Sequence, residues 1–361
     1  MGLSAYGVPD EERYLKIENG KFIYNQKYYD IIKINIHSKK VVDKFSLSLI
    51  NKVNFAATIQ RDLIECVMEL VKDIKKLTNE DNLCLSGGIF NNVLANNYIC
   101  ESGIFKNVWC SPAPGDYGLS VGKAYMEYEI DNKDIKYNRL DSAYLGEEYS
   151  DEKIIEYLNR IGIEFEEIGI DKIADLFVDN RVIVWFQGRS EYGKRALGHR
   201  SILCNPIDRS NYDKVSYMIK KRAEYRPLAC TIPSELFDLM FDVKNKDLVE
   251  FMLRGIPIRK EMRDKVKACC ANDNTTRPQN LNRNINMELY DVIMNFYKKT
   301  GIPCIVNTSL NGRGKPIIES IGDCIIFANN HRVYIDDIIF NGKYRVKLSN
   351  LNMYYYKLKE L

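Results

Sequence analysis

Along residues 55–77 the apolar positions Ile59, Leu63, Val67, Leu70, Val71, Ile74 and Leu77 recur at steps of three and four. That period predicts an amphipathic helix, with Asp62, Glu65, Glu69, Lys72 and Lys76 on its solvent side. The short apolar run at 83–86 predicts a strand, broken by Gly87-Gly88, and residues 90–99 resume a helical pattern. A second apolar run, Val108-Trp109-Cys110, leads into the turn-rich loop SPAPGDYG (111–118) and a small-residue helix over 119–128. Residues 128–139 are polar and aperiodic, which places a domain boundary there. Beyond it, a helix over 151–161, a strand at 182–186, and alternating strands at 305–307 and 333–339 predict a second α/β unit. The expected division is 1–135, 140–345 and a lysine- and tyrosine-rich tail, 346–361, that frays.

Bulk composition changes this picture little. With 45% hydrophobic and 28% charged residues, the 361-residue chain has the composition of a globular protein with room for two cores. Fifty-two basic against 49 acidic side chains leave +3, so no nucleic-acid or membrane partner is expected from the overall field. Ten cysteines without a paired C-x-x-C framework point to a reducing cytoplasm. The N-terminal MGLSAYGVPDEERYLK has no apolar core of a signal peptide, and no window is apolar for long enough to span a bilayer.

Candidate chemistry is concentrated in a few segments. In LSGGIFNNVLAN (85–96), Gly87 and Gly88 at a strand-to-helix turn allow close approach of an anion to the backbone, with Asn92 adding a polar contact. A ligand-free tight turn is the competing reading. Asp116 in APGDYGLSVG (113–122) suits either one metal ligand or a helix cap. The three histidines, His37, His199 and His331, have no metal-ligand spacing.

QGRSEYGKRALGHRSIL (187–203) is the densest signal, with Arg189, Lys194, Arg195 and Arg200 among glycines and apolar residues. Guanidinium groups drawn inward need anionic or carbonyl partners. IKKRAEYRPLA (219–229) adds Lys220, Lys221, Arg222 and Arg226, and ANDNTTRPQ (271–279) adds Arg277. In IVNTSLNGRGKPI (305–317), Asn307 and Ser309 stand at a strand end, where ligand crevices of α/β folds lie. What these segments share is capacity to hold an oxyanion.

Taken together and in this order, with MGLSAYG at the start, the segments resemble the NodU/CmcH-type O-carbamoyltransferases. The resemblance runs from Met1 to about Asp337. It implies the C-terminal half of an actin-like (ASKHA) ATPase-fold domain followed by a YrdC-like α/β domain with a twisted mixed sheet. It also implies a two-step reaction. Carbamoyl phosphate and ATP, with Mg²⁺, give carbamoyl adenylate and pyrophosphate in the YrdC-like domain; the carbamoyl group then passes to an acceptor hydroxyl. Arg195, Lys220, Arg226 and Arg277 would hold carbamoyl phosphate and ATP, aided by Asn307, Ser309 and Arg222. Gly87, Gly88 and Asn92 would hold nucleotide phosphates, and Asp116 would be a metal ligand.

The family carries a further N-terminal half of the actin-like domain, including a histidine pair that completes an iron site. Iron(II) and transfer are therefore expected only if that lobe is supplied, and a truncated product, a split enzyme whose partner chain carries the lobe, and an inactive remnant are the three readings. Lys194, His199 and Ala223 stand where the family usually has proline, asparagine and glutamate, which puts the geometry of the Arg195 loop in question. Two alternatives stay open: a nucleotide or carbamoyl-phosphate binding module without transfer activity, and a threonylcarbamoyl-AMP synthase acting in tRNA modification.

Overall fold

The structure is a computed structural model and describes residues 1–18, 20–26, 49–132, 140–223 and 225–353. Its first part is built on a 30-residue helix, α1 (Leu49–Thr78), against which a hairpin of β1 (Leu15–Glu18) and β2 (Lys21–Tyr24) packs. Asp62, expected on the solvent side, is instead fully buried. Its carboxylate accepts the backbone N–H groups of Tyr14 (2.7 Å) and Leu15 (3.2 Å) and pairs with Arg61. The buried charge ties the hairpin to the helix. Ile74 and Leu77, expected to face the core, are exposed, while Lys75 between them bonds the Glu80 carbonyl (2.6 Å) and lies over the Phe105 ring.

A β-α-β unit follows: β3 (Asn82–Leu85), α2 (Val93–Ser102) and β4 (Asn107–Cys110), with β3 and β4 parallel. Alternation along both strands sends Leu83, Leu85, Val108 and Cys110 into a core with Val67 and Val71 of α1. The opposite face, carrying Asn82, Cys84, Asn107 and Trp109, lines an open cleft. Helix α3 (Leu119–Asp131) buries none of its residues. It runs three residues further than the period predicts, and 133–139 of the expected boundary lie outside the described residues.

The second part is a mixed eight-stranded sheet. In chain order its strands are β6 (Glu166–Glu167), β7 (Ile183–Phe186), β9 (Arg200–Cys204), β10 (Ala229–Pro233), β13 (Pro278–Leu281), β14 (Ile305–Ser309), β15 (Asp337–Phe340) and β16 (Tyr344–Lys347). Their spatial order is β13-β10-β14-β9-β7-β15-β16-β6, with β10/β13 and β7/β15 parallel and the other pairs antiparallel. Short pairs outside it are β5 (Tyr144–Tyr149) with β8 (Gly188–Glu191), and β11 (Ile256–Pro257) with β12 (Thr275–Thr276).

Every residue of β7, β9, β10 and β15 is buried, so the sheet is covered on both faces. Helices α4 (Asp151–Ile161), α5 (Ile170–Val178), α6 (Met287–Thr300) and α7 (Ile321–Asn330) contribute apolar side chains to its core. Within the expected tail, a 3-10 turn over Leu348–Met353 buries Leu348 and Leu351. Residues 354–361 lie outside the described residues.

The two parts share a core, since Leu248, Phe251, Met252 and Leu253 pack with Leu83, Val108 and Ile99. Polar bonds fix the join. Arg254, fully buried, donates to Asn97 Oδ1 (2.9 Å), the Asn245 carbonyl (2.8 Å) and Glu101 (2.6 Å), while Asn96 donates to the Leu253 carbonyl (2.8 Å). The ten cysteines are free, and no helix among the described residues is long and apolar enough to cross a membrane. Removing the guanidinium strands the Glu101 carboxylate and the Asn245 carbonyl. We expect Arg254→Ala to cost about 3 kcal/mol, read as a lowered urea midpoint that the surface control Lys246→Ala does not share.

Candidate functional site

Loop 192–199 between β8 and β9 is wrapped around one buried carboxylate. Glu191 Oε1 accepts the backbone N–H groups of Leu197 (2.7 Å), His199 (2.7 Å) and Arg200 (3.1 Å). Burial pushes the Glu191 carboxyl up, opposed by those three amides. Gly193, at φ +103°, lets the loop pass under the first part: a Cβ there would stand 2.7 Å from the Pro112 carbonyl oxygen. His199 stacks on Tyr144 at 3.5 Å, and its Nδ1–H donates to the Arg189 carbonyl (2.5 Å). Burial lowers its pKa to about 3, so the ring is neutral.

The four basic residues of this segment divide by role. Arg200 is fully buried and satisfied by carbonyls, donating to Gln187 O (2.7 Å) and Gly188 O (3.0 Å), with its guanidinium 3.7 Å above the Phe186 ring. Arg189 lies at the surface beside Glu148. Only Lys194 and Arg195 join the residues brought in from elsewhere. Lys194 feels the charges of Arg195 and Arg277, Arg195 that of Arg222, and Arg277 those of both Arg195 and Arg222. Arg222 in turn feels Arg226, which is exposed at the rim.

None of these five has an acidic partner within ion-pair distance among the described residues, and the buried Nε atoms of Arg195 and Arg277 have no hydrogen-bond acceptor. Burial, reinforced by neighbouring charges, pushes Lys194 down to about 8 and Arg195 to about 10, and holds Arg277 well below its ordinary value. Clustered cations out of water and without a counter-ion are destabilising unless an anion joins them. Chemically, such an arrangement can accept an oxyanion.

Lys220 lies under this cluster. Burial, then the Arg222 charge, pushes it well below the ordinary lysine range. Its ammonium is bound to the Ser309 carbonyl, Ser309 Oγ (3.0 Å), the Asn311 carbonyl (3.1 Å) and Asn311 Oδ1. Asn307 is fully buried, its amide donating to Thr231 Oγ1 (2.9 Å) and Gln279 Oε1 (3.2 Å), while its own Oδ1 has no partner. Thr231 and Gln279 are joined at 2.7 Å, and Gln279 reaches the Leu197 carbonyl (2.6 Å), which couples this network to the Arg195 loop.

Sequence reasoning missed Glu191, Thr231, Gln279 and Asn311. A lone acid in a basic loop is a legible signal for Glu191; the others become partners only through strand pairing.

The glycine motif of the first part behaves differently. Gly87, at φ +111°, donates its N–H to the Pro114 carbonyl (2.7 Å), and Gly88 is exposed. Asn92, expected to hold a phosphate, is committed internally: Oδ1 caps α2 by accepting Ala95 N–H (3.2 Å), and both amide groups bond Gln60. Its neighbour Asn91 accepts the Tyr117 hydroxyl (2.7 Å), and Tyr117 lies close enough to Arg195 to act on its charge.

Asp116 is exposed, the one carboxylate lining a cleft of about 1110 Å³ with Ser86, Gly87, Gly115, Gly118 and Tyr192. It belongs to no group of three potential ligands among the described residues. A single oxygen ligand does not satisfy Mg²⁺ or iron, so the described residues do not by themselves fit a metal there.

Because Lys194 is depressed to about 8, it carries its charge below that pH in the folded protein and loses it above. Sulfate, which does not titrate in this range, serves as the probe. We expect its affinity by calorimetry to fall roughly tenfold as the pH is raised from about 7 to about 9.5, the loss of one clustered cation. Lys194→Met should bind weakly and without that pH dependence.

Two family models match the chain: the carbamoyltransferase N-terminus over residues 1–125 and the carbamoyltransferase C-terminus over 174–346. Nodulation protein NolNO of Sinorhizobium fredii is 31% identical over 338 residues, covering 90% of this chain and 49% of the relative. Nodulation protein NolO of Bradyrhizobium diazoefficiens is 30% identical over 341 residues, covering 90% and 61%. Nodulation protein U of Azorhizobium caulinodans is 28% identical over 287 residues, covering 79% and 49%. The chain thus spans about half to three fifths of the length of these relatives. With both models matched in order and the cation cluster lying within or beside the C-terminal match, the chain belongs to the carbamoyltransferase family.

Proposed function

We propose that this chain serves ATP-dependent O-carbamoyl transfer and that the Arg195 cluster is where carbamoyl phosphate and ATP react. The observation that carries the reading is the set of Lys194, Arg195, Arg222 and Arg277, drawn together at the 192–199 loop with no ion-paired carboxylate among the described residues. Both substrates are phosphate anions with charge to place there. In the first step water cleaves carbamoyl phosphate to carbamate and phosphate. A carbamate oxygen then attacks the α-phosphorus of ATP, and pyrophosphate leaves, giving carbamoyl adenylate. The required catalysis is charge neutralisation and alignment, which fixed guanidinium groups provide. Lys220 acts from below, holding Ser309 and Asn311 in place.

In the second step the acceptor hydroxyl attacks the carbamoyl carbon, and AMP leaves. We assign this step to the cleft beside Gly87, Gly115 and Asp116, which adjoins the cluster through Tyr117 and Tyr192. On this reading the first part is the C-terminal half of an actin-like domain and the second a YrdC-like domain. The apolar side of α3 that borders this cleft, with Leu119 71% exposed beside Tyr125 and Met126, and Ile130 68% exposed further along, is where the complementary lobe would pack and close the cleft. That lobe would also complete any metal site begun by Asp116. No observation among the described residues favours the binding-module or tRNA-modification alternatives.

Carbamoyl-phosphate-dependent exchange of labelled pyrophosphate into ATP reads the first step alone. We expect exchange by the purified chain, lost by at least about a hundredfold in Arg195→Ala, the loss of about 2.7 kcal/mol of transition-state stabilisation, with an unchanged circular dichroism spectrum. Lys220→Met should also lose exchange. Wild-type rates in both variants would remove the site assignment, and no exchange in folded wild type would remove the adenylation reading. We further expect no carbamoylated product from the purified chain supplied with acceptor alcohols; robust transfer would show the complementary lobe to be dispensable.

A further inference from the structure

Behind the anion cluster, three cysteines distant in sequence converge. Cys230 lies in β10, Cys269 in the loop before β12, and Cys304 immediately before β14. Their Sγ atoms all lie within 4.8 Å of one another, each residue is fully buried, and none forms a disulfide. Among the described residues this is the one group of three with metal-ligand spacing. Side chains alternate along a strand, so Cys230 points to the face of β10 away from Thr231 and the Asn307 network. The site is therefore separate from the anion receptor and does not depend on the function proposed for it.

We propose that Cys230, Cys269 and Cys304 form a structural binding site for one thiophilic d¹⁰ cation, zinc(II) or copper(I). Metal–sulfur bonds of about 2.3 Å bring ligand sulfurs to roughly 3.8–4.0 Å, so closure from the present spacing needs less than about an ångström of movement. Three thiolates alone satisfy trigonal copper(I), whereas zinc requires a fourth ligand. The hydroxyl of Thr276, 3.9 Å from Cys230 Sγ, is the oxygen placed to supply it. Binding releases three thiol protons and leaves a complex of net charge −1 with zinc or −2 with copper(I).

That negative charge has a counterpart. Arg277, which has no acidic partner among the described residues, acts electrostatically on Cys230, and its carbonyl accepts the Cys230 N–H at 3.4 Å. A metal–thiolate group there neutralises part of the cationic cluster from behind. It also cross-links β10, the 264–270 segment and the start of β14, the strands that carry Thr231 and Asn307.

The test is elemental analysis of the full chain, expressed with zinc and copper supplementation and purified under reducing conditions without chelator. We expect about one equivalent of metal per chain, falling below about a tenth in Cys269→Ala and Cys304→Ala. Cys324→Ala, which removes a buried cysteine of α7 outside the cluster, controls for general core damage and should keep its metal. Which element is found separates zinc from copper(I), and cobalt(II) incorporated in place of zinc should show thiolate charge-transfer absorption. Folded wild type without metal, with its thiols free or a disulfide formed, would overturn the site and leave the three cysteines as core packing. Full metal retention in Cys304→Ala would overturn it equally.

Discussion

The constraint on which the rest depends is electrostatic. Lys194, Arg195, Arg222 and Arg277 repel one another in a place where little water screens them, and no carboxylate of the described residues pairs with them. Such a cluster persists only because the surrounding fold outweighs it. The loop that presents Arg195 is closed on Glu191 by three backbone amides, Arg222 follows a helix anchored by Lys220, and Arg277 directly precedes β13. An anion placed among these groups would relieve the unfavourable charge density, so a capacity for anions and the intrinsic instability of the cluster have one origin.

Rigidity around the cluster comes from polar groups buried with their partners. Arg200 takes carbonyl oxygens and an aromatic face, and Asn307, Thr231 and Gln279 bond one another across three adjacent strands. This network reaches the Leu197 carbonyl, so the sheet interior is hydrogen-bonded directly to the Arg195 loop. The Arg254 clamp and the shared core around Leu253 hold the β3–β4 unit against the large sheet, with the Gly87 turn opening onto the cleft beside Tyr192. Two chemically distinct regions thereby adjoin without either having to form across a mobile boundary.

Much of this was legible in the chain. The helix over 151–161, the strands near 83, 108 and 183, and the density of cations at 187–203 follow from period and composition. The misreadings have a common cause. Asp62 looks like a solvent-facing charge on an amphipathic helix, but a hairpin 48 residues away delivers two amides to it. Asn92 looks like a phosphate ligand after a double glycine, but Gln60 of α1 binds both ends of its amide. In each, a distant partner decided the role of a polar side chain.

By itself, the sequence determined an α/β protein, the order of its elements and the segments rich in groups that bind anions. These are consequences of local period, glycine placement and residue chemistry, which act over a few positions. Only the tertiary structure decided that Arg195, Arg222 and Arg277 lie close enough to act on one another's charge, that Arg200 and Asn92 are bonded internally, and that Cys230, Cys269 and Cys304 meet. Those assignments rest on strand order and loop closure across long stretches of chain. Whether a buried charge is satisfied depends on what stands opposite it in space, and that is a property of the packed fold.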